Sequence, residues 1–322
     1  MSRKAVLLFV VLAAASPLFG ADEGRIVVTN TADGAEVIMM KAPGGTASVS
    51  LFGARILSYR PTGGEEVLFR PRQLVLEGED WQHGGIPLCW PWFSDNAGAS
   101  LVCHGFARFS RFRIRSRRVT ERTTELVLRL ESSDETRRLW PYDFDLDYRI
   151  VLSDSLRLVV TTRNVGVRRF KLTSGLHPYF RLGERNRAWV DGADGAPVCN
   201  AICTLGPDRK ESAFTGSWKG AIVLTNAYDH VFSLSEQRYS VVDPSLMRRI
   251  SVSSVGTCKL VVWNPDANPP FDIGNLSRDD WRRFVCAEPA TTFADRALTI
   301  EPDGTHVMDV TIAVKPFPSH RR

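Results

Sequence analysis

The stretch "DLDYRIVLSDSLRLVVTTRN", Asp145 to Asn164, carries the clearest fold signal in the sequence. Polar and apolar residues alternate on both sides of Ser153-Asp154-Ser155, as they do in a β-hairpin with one buried face. Similar alternation recurs in "TELVLRLES" (124–132), "KLVVWNP" (259–265), "ALTIEP" (297–302) and "HVMDVTIAV" (306–314). The sequence therefore predicts an all-β fold whose strands are mostly antiparallel.

Helix signals are scarce. The best candidate is "SRDDWRRFV" (277–285), where Ser277 can cap a short helix and Asp280 occupies the capping-box position. No internal repeat, low-complexity tract or Pro/Gly-rich linker divides the chain of 322 residues. Single all-β domains of about 250 residues are common, so we predict one domain over residues 22–322.

The N-terminus has the pattern of a signal peptide. A basic segment, Ser2 to Lys4, precedes an apolar run, Ala5 to Ala15, that is too short to span a bilayer. We predict a leader over residues 1–21 and export to the periplasm or the medium, with cleavage after Ala15, Gly20 or Ala21. An uncleaved anchor, or a buried strand of a cytosolic protein, is the alternative. No later stretch is apolar for long enough to predict stable membrane insertion once the leader is removed.

Charge gives little support for a polyanionic partner. The formal net charge is +5, and Arg3 and Lys4 of the leader contribute two of these charges. The densest basic run, "RFSRFRIRSRR" (108–118), alternates, with Phe112 and Ile114 on one side and arginines on the other. No aromatic side chains interleave on the basic side, so we predict a strand with one solvated face and no nucleic-acid partner.

The six cysteines leave their chemistry open. An even count permits disulfides in an exported chain, although spacing does not give the pairing, and buried free thiols are the alternative. A metal site at Cys199 and Cys203 is weakly supported, because no histidine or second cysteine pair lies near them in sequence. The six are Cys89, Cys103, Cys199, Cys203, Cys258 and Cys286.

Four polar residues are candidates for chemistry when taken one by one. His104 precedes Gly105, which permits close backbone approach to a ligand, and His177 lies in "SGLHPYFRLG" (174–183). Glu288 lies in the apolar run "FVCAEPA", where burial of a carboxylate is costly unless it has a partner or a task. Asp229, in "NAYDHVF", is a weaker candidate. Each also has a structural interpretation, because most single histidines and carboxylates are ordinary core or surface residues.

Six motifs together resemble a known family. In sequence order they are similar to those of the hexose-6-phosphate mutarotases, or glucose-6-phosphate 1-epimerases, of the aldose 1-epimerase superfamily. The resemblance extends from "LFGARILSYRP" (51–61) to the C-terminal strands. The motifs are "HGGIPLCWPWF" (83–93), "HGFAR" (104–108), "LHPYF" (176–180), "YDHVF" (228–232), "VVWNP" (261–265) and "FVCAEPA" (284–290).

The resemblance implies a large antiparallel β-sandwich with few short helices and a sugar cleft on one concave face. The implied reaction interconverts the α and β anomers of an aldose by ring opening and reclosure. A base must take the proton of the anomeric hydroxyl while an acid protonates the ring oxygen, and a carboxylate and an imidazole suit both roles. By resemblance Glu288 is the base and His177 the acid, and no metal or organic cofactor is required.

The resemblance also assigns a binding set and leaves the substrate open. His104 and Asp229 would hold the ring or its hydroxyls, and Trp90 or Trp92 would stack on the sugar. Relatives that use sugar phosphates commonly have an arginine before GGIP, which would bind a 6-phosphate together with Arg108. Here that residue is His83, and a position that is often glutamine is Cys103.

Imidazole is not equivalent to a bidentate guanidinium. We therefore expect weaker phosphate binding, or help from another cation such as Arg72. The substrate stays open between a hexose and its 6-phosphate, and the leader favours the unphosphorylated sugar.

Two other functions remain to be weighed. A carbohydrate-binding protein without catalysis would use the same cleft, but the presence of both His177 and Glu288 argues against it. An accessory domain of a polysaccharide-processing enzyme is disfavoured because the chain has no obvious second catalytic domain. We expect a monomer whose partner is a small-molecule sugar or sugar phosphate.

Overall fold

The computed structural model describes residues 25–31, 34–78, 82–94, 103–200, 216–225, 227–267, 274–292 and 297–317. In chain order the strands begin with β1 (Arg25–Asn30), β2 (Glu36–Ala42), β3 (Gly45–Ser50), β4 (Ile56–Pro61), β5 (Leu88–Cys89), β6 (Arg113–Val119), β7 (Thr124–Glu131), β8 (Phe144–Leu152), β9 (Leu156–Asn164), β10 (Phe170–Leu172), β11 (Ser174–Leu176) and β12 (Tyr179–Arg181). They continue with β13 (Trp189–Asp191), β14 (Pro197–Asn200), β15 (Gly216–Ser217), β16 (Ile222–Val223), β17 (Tyr228–Phe232), β18 (Arg238–Asp243), β19 (Arg248–Val255), β20 (Lys259–Asn264), β21 (Phe284–Thr291), β22 (Leu298–Ile300) and β23 (Thr305–Pro316).

Two large antiparallel sheets form a β-sandwich. Sheet I has the order β15-β14-β17-β20-β21-β11-β5, with β12 also paired to β21. Sheet II has the order β16-β13-β18-β19-β23-β9-β8-β7-β6, and β1 to β4 form a smaller sheet beside it. One apolar core draws side chains from all three sheets. The predicted all-β sandwich is confirmed.

The hairpin that carried the fold signal is β8 and β9, and the prediction is confirmed. The two strands pair in antiparallel register from Phe144 with Asn164 to Leu152 with Leu156. Alternate β8 residues, Leu146, Tyr148 and Ile150, are fully buried. Burying a side chain of this size stabilises the fold by roughly 1.5–3 kcal/mol, so this face fixes the register of the hairpin.

The basic run forms a strand, but its alternation is broken. Strand β6 lies at the edge of sheet II and is mostly exposed, whereas Phe112 precedes it and is buried. The register with β7 shifts between Ile114 and Ser116. Such a bulge places an extra residue in one strand, so the strict two-sided pattern expected from the sequence does not continue past Ile114.

The short helix predicted at residues 277–285 is present as a 3-10 helix, but Ser277 is not its cap. The segment forms a short 3-10 helix, Asp280–Arg283, that has Asp279 at its N-cap and no side-chain cap. Asp280 nevertheless reaches back, because its Oδ2 accepts a hydrogen bond from the backbone N of Ser277 at 2.8 Å. The aromatic strand β21 begins immediately at Phe284 and leaves no room for another turn.

The sequence analysis missed helix α1 (Asp134–Leu139), which carries a capping box between Ser133 and Thr136. Short 3-10 helices also span Ala107–Phe109, Arg185–Arg187 and Pro244–Leu246.

Some predictions about the N-terminus and the cysteines concern residues that the structure does not describe. The proposed leader, residues 1–21, and Cys203 lie outside them. Cys89, Cys258 and Cys286 are thiols. Within the described ranges, no helix has the length and apolar character needed to cross a membrane.

Candidate active site

Strand β21 directs alternate side chains to the two faces of sheet I, and one of these faces packs on the core. Val285 and Ala287 belong to the main core. Side chains alternate along a strand, so Cys286 and Glu288 lie on the opposite face, which we call the site face. The carboxylate of Glu288 is only 1% exposed although it is not part of the core.

Cross-strand pairing builds a row of side chains across the site face. Asp229 of β17 is opposite Trp263 of β20, and Trp263 is opposite Cys286. Cys286 is in turn opposite Tyr179 of β12. Glu288 lies one pleat further along β21, opposite Val261. The alternation that buries the core therefore also assembles this row.

His177 occupies the gap between β11 and β12. Its backbone N donates to the Pro87 carbonyl at 3.0 Å, and its ring stacks on Tyr179 with centroids 4.8 Å apart. These contacts place His177 Nε2 3.5 Å from Glu288 Oε1, with both side chains buried. Glu288 Oε2 has no hydrogen-bond partner among the described residues.

Burial moves the pKa values of this pair in opposite directions. It raises the pKa of Glu288 well above its ordinary value, and the negative charge of Asp229 adds to the rise. It lowers the pKa of His177 well below its ordinary value, and the charges of His83 and Arg108 contribute. Burial therefore favours the uncharged forms of both side chains, a carboxyl beside an imidazole at 3.5 Å, over an ion pair.

The glycine pair after His83 lets the loop approach strand β4. A Cβ on Gly85, where φ is +68°, would lie 2.2 Å from the carbonyl oxygen of Ile56. His83 itself is buried, and its backbone N donates to Asn275 Oδ1 at 2.8 Å. Its ring stacks on Trp263 with centroids 5.9 Å apart. The motif therefore places the His83 ring against Trp263.

The "HGFAR" motif packs against the backbone of Trp90, and this explains its glycine. A Cβ on Gly105 would lie 2.0 Å from the Trp90 carbonyl oxygen, so the close approach is to the protein itself rather than to a ligand. Ser94 N donates to His104 Nδ1 at 3.0 Å, which leaves the ring proton on Nε2 if the ring is neutral. The His104 and His177 rings lie edge to face with centroids 5.6 Å apart.

Two buried guanidinium groups lie in this region, and the sequence analysis named only Arg108. Burial lowers the pKa of Arg108 to about 10, and the charge of Arg55 contributes. Burial likewise lowers the pKa of Arg55 to about 10. Arg55 Nη1 has no hydrogen-bond partner among the described residues. The sequence signal for Arg55 was its position in "LFGARILSYRP", between two strand segments. Arg72, which we expected as an additional phosphate-binding cation, is exposed.

Cys103 is half-buried. Two predicted aromatic residues lie in the core instead of on the site face. Trp90 is fully buried and its Nε1 donates to Thr162 Oγ1 at 2.9 Å. Trp92 is also buried and packs edge to face on Phe106. These contacts favour a packing role. Trp263 and Tyr179 do have aromatic rings on the site face, and single-sequence inspection did not separate them from core aromatics.

A buried carboxyl and a buried imidazole therefore lie 3.5 Å apart on the site face of a β-sandwich. The family model described as "Aldose 1-epimerase" matches residues 36–307. The chain belongs to the aldose 1-epimerase family, and its function is that of an epimerase or mutarotase.

Individual relatives agree with this assignment. A protein of Escherichia coli (strain K12) named "Putative glucose-6-phosphate 1-epimerase" is 29% identical over 282 residues, covering 87% of this chain and 92% of that protein. A crystal structure of a "putative mutarotase" from Salmonella typhimurium has a TM-score of 0.79 at 26% identity, and covers 90% of this chain and 97% of that chain.

A galactose mutarotase-like protein from Clostridium acetobutylicum has a TM-score of 0.71 at 13% identity, with 91% of this chain and 99% of that chain covered. This last likeness concerns the fold alone.

Proposed function

We propose that the protein interconverts the α and β anomers of a hexose 6-phosphate bound against the site face, with His177 and Glu288 as the acid–base pair. The observation that carries the proposal is the buried 3.5 Å contact between His177 Nε2 and Glu288 Oε1. A carboxylate and an imidazole at this distance can act on two neighbouring oxygens of one sugar ring.

The proton transfers balance within the pair and the sugar. Glu288 takes the proton of the anomeric hydroxyl while His177 gives a proton to the ring oxygen. The bond between the anomeric carbon and the ring oxygen breaks, and the anomeric carbon becomes an aldehyde. Rotation about the adjacent carbon–carbon bond exposes the other face, and the reverse transfers close the ring as the opposite anomer.

Substrate binding moves the proton from Glu288 to His177. Without substrate, burial favours the neutral carboxyl on Glu288 and the neutral ring on His177. An anomeric hydroxyl that donates to Glu288 stabilises the carboxylate. The proton then resides on His177, where the ring oxygen can receive it, so one buried proton serves both directions of the reaction.

The two buried arginines support a phosphorylated substrate. Arg55 Nη1 lacks a partner among the described residues, and Arg108 lies close enough for its pKa to respond to the charge of Arg55. Unpaired buried cations are costly, and a phosphate dianion accepts bidentate hydrogen bonds from guanidinium groups. Arg55 would thereby supply the second guanidinium that His83 does not. The names of the curated relatives agree with this substrate class.

The remaining contacts concern the sugar ring. We propose that His104 and Asp229 bind hydroxyl groups, as the resemblance implies. The apolar face of the sugar would stack on Trp263, whose ring lies between those of His83 and His177 at centroid distances of 5.9 and 6.0 Å. Trp90 and Trp92 would support this wall from the core.

Anomer-exchange NMR on free and 6-phosphorylated aldoses tests the proposal. We expect acceleration for glucose 6-phosphate in the wild type and a much smaller acceleration in Glu288→Gln. Acceleration of free aldoses only would overturn the phosphate assignment and favour the unphosphorylated substrate expected from His83 and the leader. Binding of sugars without acceleration of any of them would favour the carbohydrate-binding alternative.

We also propose export by the leader, residues 1–21, followed by a single domain that acts as a monomer. Support comes from the basic and apolar segments of the sequence. N-terminal mass analysis of the protein recovered from the periplasm or medium, and from the cell interior, tests the leader. Recovery of an unprocessed chain only inside the cell would contradict it. Sedimentation of the purified protein tests the monomer.

A further inference from the structure

Cys286 lies beside the acid–base pair and has no part in the proton transfers. Its Sγ, one ring nitrogen of His177 and one carboxylate oxygen of Glu288 all lie within 4.8 Å of one another. All three side chains are buried. Cys286 and Glu288 share the site face because they are two residues apart on β21, and His177 faces them from the turn between β11 and β12.

We propose that these three side chains form a binding site for a thiophilic divalent cation, Zn²⁺ first among them, and that the bound ion inhibits the enzyme. Thiolate, imidazole and carboxylate are the three ligand types that zinc uses in proteins. Two of them are anionic when coordinated, so together they balance the charge of a divalent ion. Because two of the ligands are the proposed acid and base, a bound ion removes both from catalysis.

The distances are close to those of a zinc site. Bonds of about 2.0–2.3 Å from zinc to nitrogen, oxygen and sulfur separate the ligand atoms of a tetrahedral site by about 3.3–3.7 Å. The contact of 3.5 Å between His177 Nε2 and Glu288 Oε1 lies in this range. The upper limit of 4.8 Å for the set calls for a side-chain movement of about 1 Å. Three protein ligands leave a fourth position for water.

A second observation points to a ligand at the same place. Glu288 is 1% exposed, and its Oε2 has no hydrogen-bond partner among the described residues. A buried carboxylate oxygen without a donor is costly, and a cation would satisfy it. Tyr179 stacks on His177 and holds the plane of the imidazole ring. Arg55 and Arg108 lie in the same region and oppose a cation, so the ion is retained only when Cys286 binds as the thiolate.

Coordination exchanges protons for the metal. The bond between zinc and Sγ forms as the thiol proton leaves to solvent, and a proton held by Glu288 leaves in the same way. No oxidant or reductant takes part. The binding is independent of the proposed function, whereas the inhibition rests on it.

Titration of the purified full chain with Co²⁺ tests the site directly, because a cobalt–thiolate bond gives a charge-transfer absorption band. We expect this band in the wild type and its loss when Zn²⁺ is added. Cys286→Ser should weaken Co²⁺ binding by at least the roughly tenfold that loss of an outer-shell partner costs. The matched control is Cys258→Ser, which removes a half-buried thiol outside the triad and should leave binding unchanged.

X-ray absorption at the zinc edge identifies the atoms that bind zinc in the wild type and requires no variant. We expect one sulfur atom among nitrogen and oxygen neighbours. A shell without sulfur, a wild type that shows no thiolate band, or equal affinity in Cys286→Ser and the wild type would overturn the site.

The inhibition has its own experiment. Zn²⁺ should slow anomer exchange by the wild type, a chelator should restore the rate, and sugar should compete with the ion. Cys286→Ser should resist Zn²⁺ at least about tenfold better than the wild type, with each protein compared with its own rate in the absence of the ion. Equal inhibition of both proteins would overturn the inhibitory role of the triad. If the wild type has no exchange activity, the proposed function fails and the Co²⁺ titration still decides the metal site.

Discussion

The outward faces of the two sheets both carry charged side chains, but in opposite environments. On sheet II, Arg157 of β9 is 49% exposed and its Nε donates to Asp309 of β23 at 2.9 Å. On the site face of sheet I, Glu288 is buried and one of its oxygens has no partner among the described residues. Exposed, paired charges contrast with buried, incompletely paired ones.

The contrast separates a solvated surface from one whose polar groups are buried and incompletely hydrogen-bonded. Exposed ion pairs contribute roughly 0–1 kcal/mol, because water and salt screen them. A buried polar group without a partner costs about 1–3 kcal/mol, and a charged group costs more. Proteins retain this cost at places where a ligand supplies the missing hydrogen bond. The burial of the charged groups, rather than their number, therefore indicates the candidate site.

The largest expected effect is that of Glu288→Gln on catalysis. The amide cannot take the proton of the anomeric hydroxyl, so the exchange rate should fall by about 10²- to 10⁴-fold, the usual contribution of a general acid or base. Anomer-exchange NMR under substrate saturation measures it. Glu131→Gln, which removes an exposed carboxylate paired with Arg113 on sheet II, is the control and should keep the wild-type rate.

Stability provides a second readout for the same variant. The pKa of Glu288 is raised in the folded state above its ordinary value of 4.5. The unfolded chain therefore releases this proton first as pH rises, so the wild type loses free energy of unfolding above pH 4.5. In urea denaturation, the free energy of unfolding of Glu288→Gln should fall less than that of the wild type over the same pH range. A variant that loses stability at every pH would indicate that the carboxylate is structural.

The second effect concerns Arg55 and substrate choice. Hydrogen bonds to charged groups contribute about 1.5–3 kcal/mol, so Arg55→Gln should lower kcat/KM for glucose 6-phosphate by about 10- to 100-fold and leave free glucose nearly unchanged. The kcat/KM of Arg55→Lys should lie between those of the wild type and Arg55→Gln, because lysine keeps the charge and loses the bidentate geometry. Equal losses for both sugars would mean that Arg55 supports the fold and does not bind phosphate.

A third, smaller effect is expected from Asp229. Its negative charge contributes to the raised pKa of Glu288. Removing the charge in Asp229→Asn lowers that pKa, so the acid–base pair loses its last proton at lower pH. The alkaline limb of the kcat/KM profile should shift to lower pH, and Asp229→Glu should shift it less. An unchanged limb with a raised KM would assign Asp229 to sugar binding alone.

Sequence patterns predicted the sheets better than the site. Period-two alternation is local, so the β8–β9 hairpin could be predicted from residues 145–164 alone. The bulge in β6 depends on the neighbouring strand, and no local pattern indicated it. The local pattern at residues 277–285 indicated a helix but not its 3-10 type.

In the site, the resemblance identified His177 and Glu288 as partners although 111 positions separate them in the numbering. The burial of Arg55, with no partner for Nη1 in the described part of the chain, is a tertiary property and was not predicted. Trp90 and Trp263 are both strand-associated aromatics in their motifs, and only the three-dimensional structure assigns the first to the core and the second to the site face.

The smallest effect is expected on sheet II. Asp309→Asn removes the carboxylate that accepts from Arg157, and both side chains are partly exposed. Solvent screening limits the loss in free energy of unfolding to less than about 1 kcal/mol. Added salt should reduce even this difference between variant and wild type, because it screens the exposed pair.

Urea denaturation at low and high salt measures the loss, and anomer exchange should be unaffected. A salt-independent loss together with slower exchange would mean that the ion pairs of sheet II support the site through the core, and that the two faces are not independent.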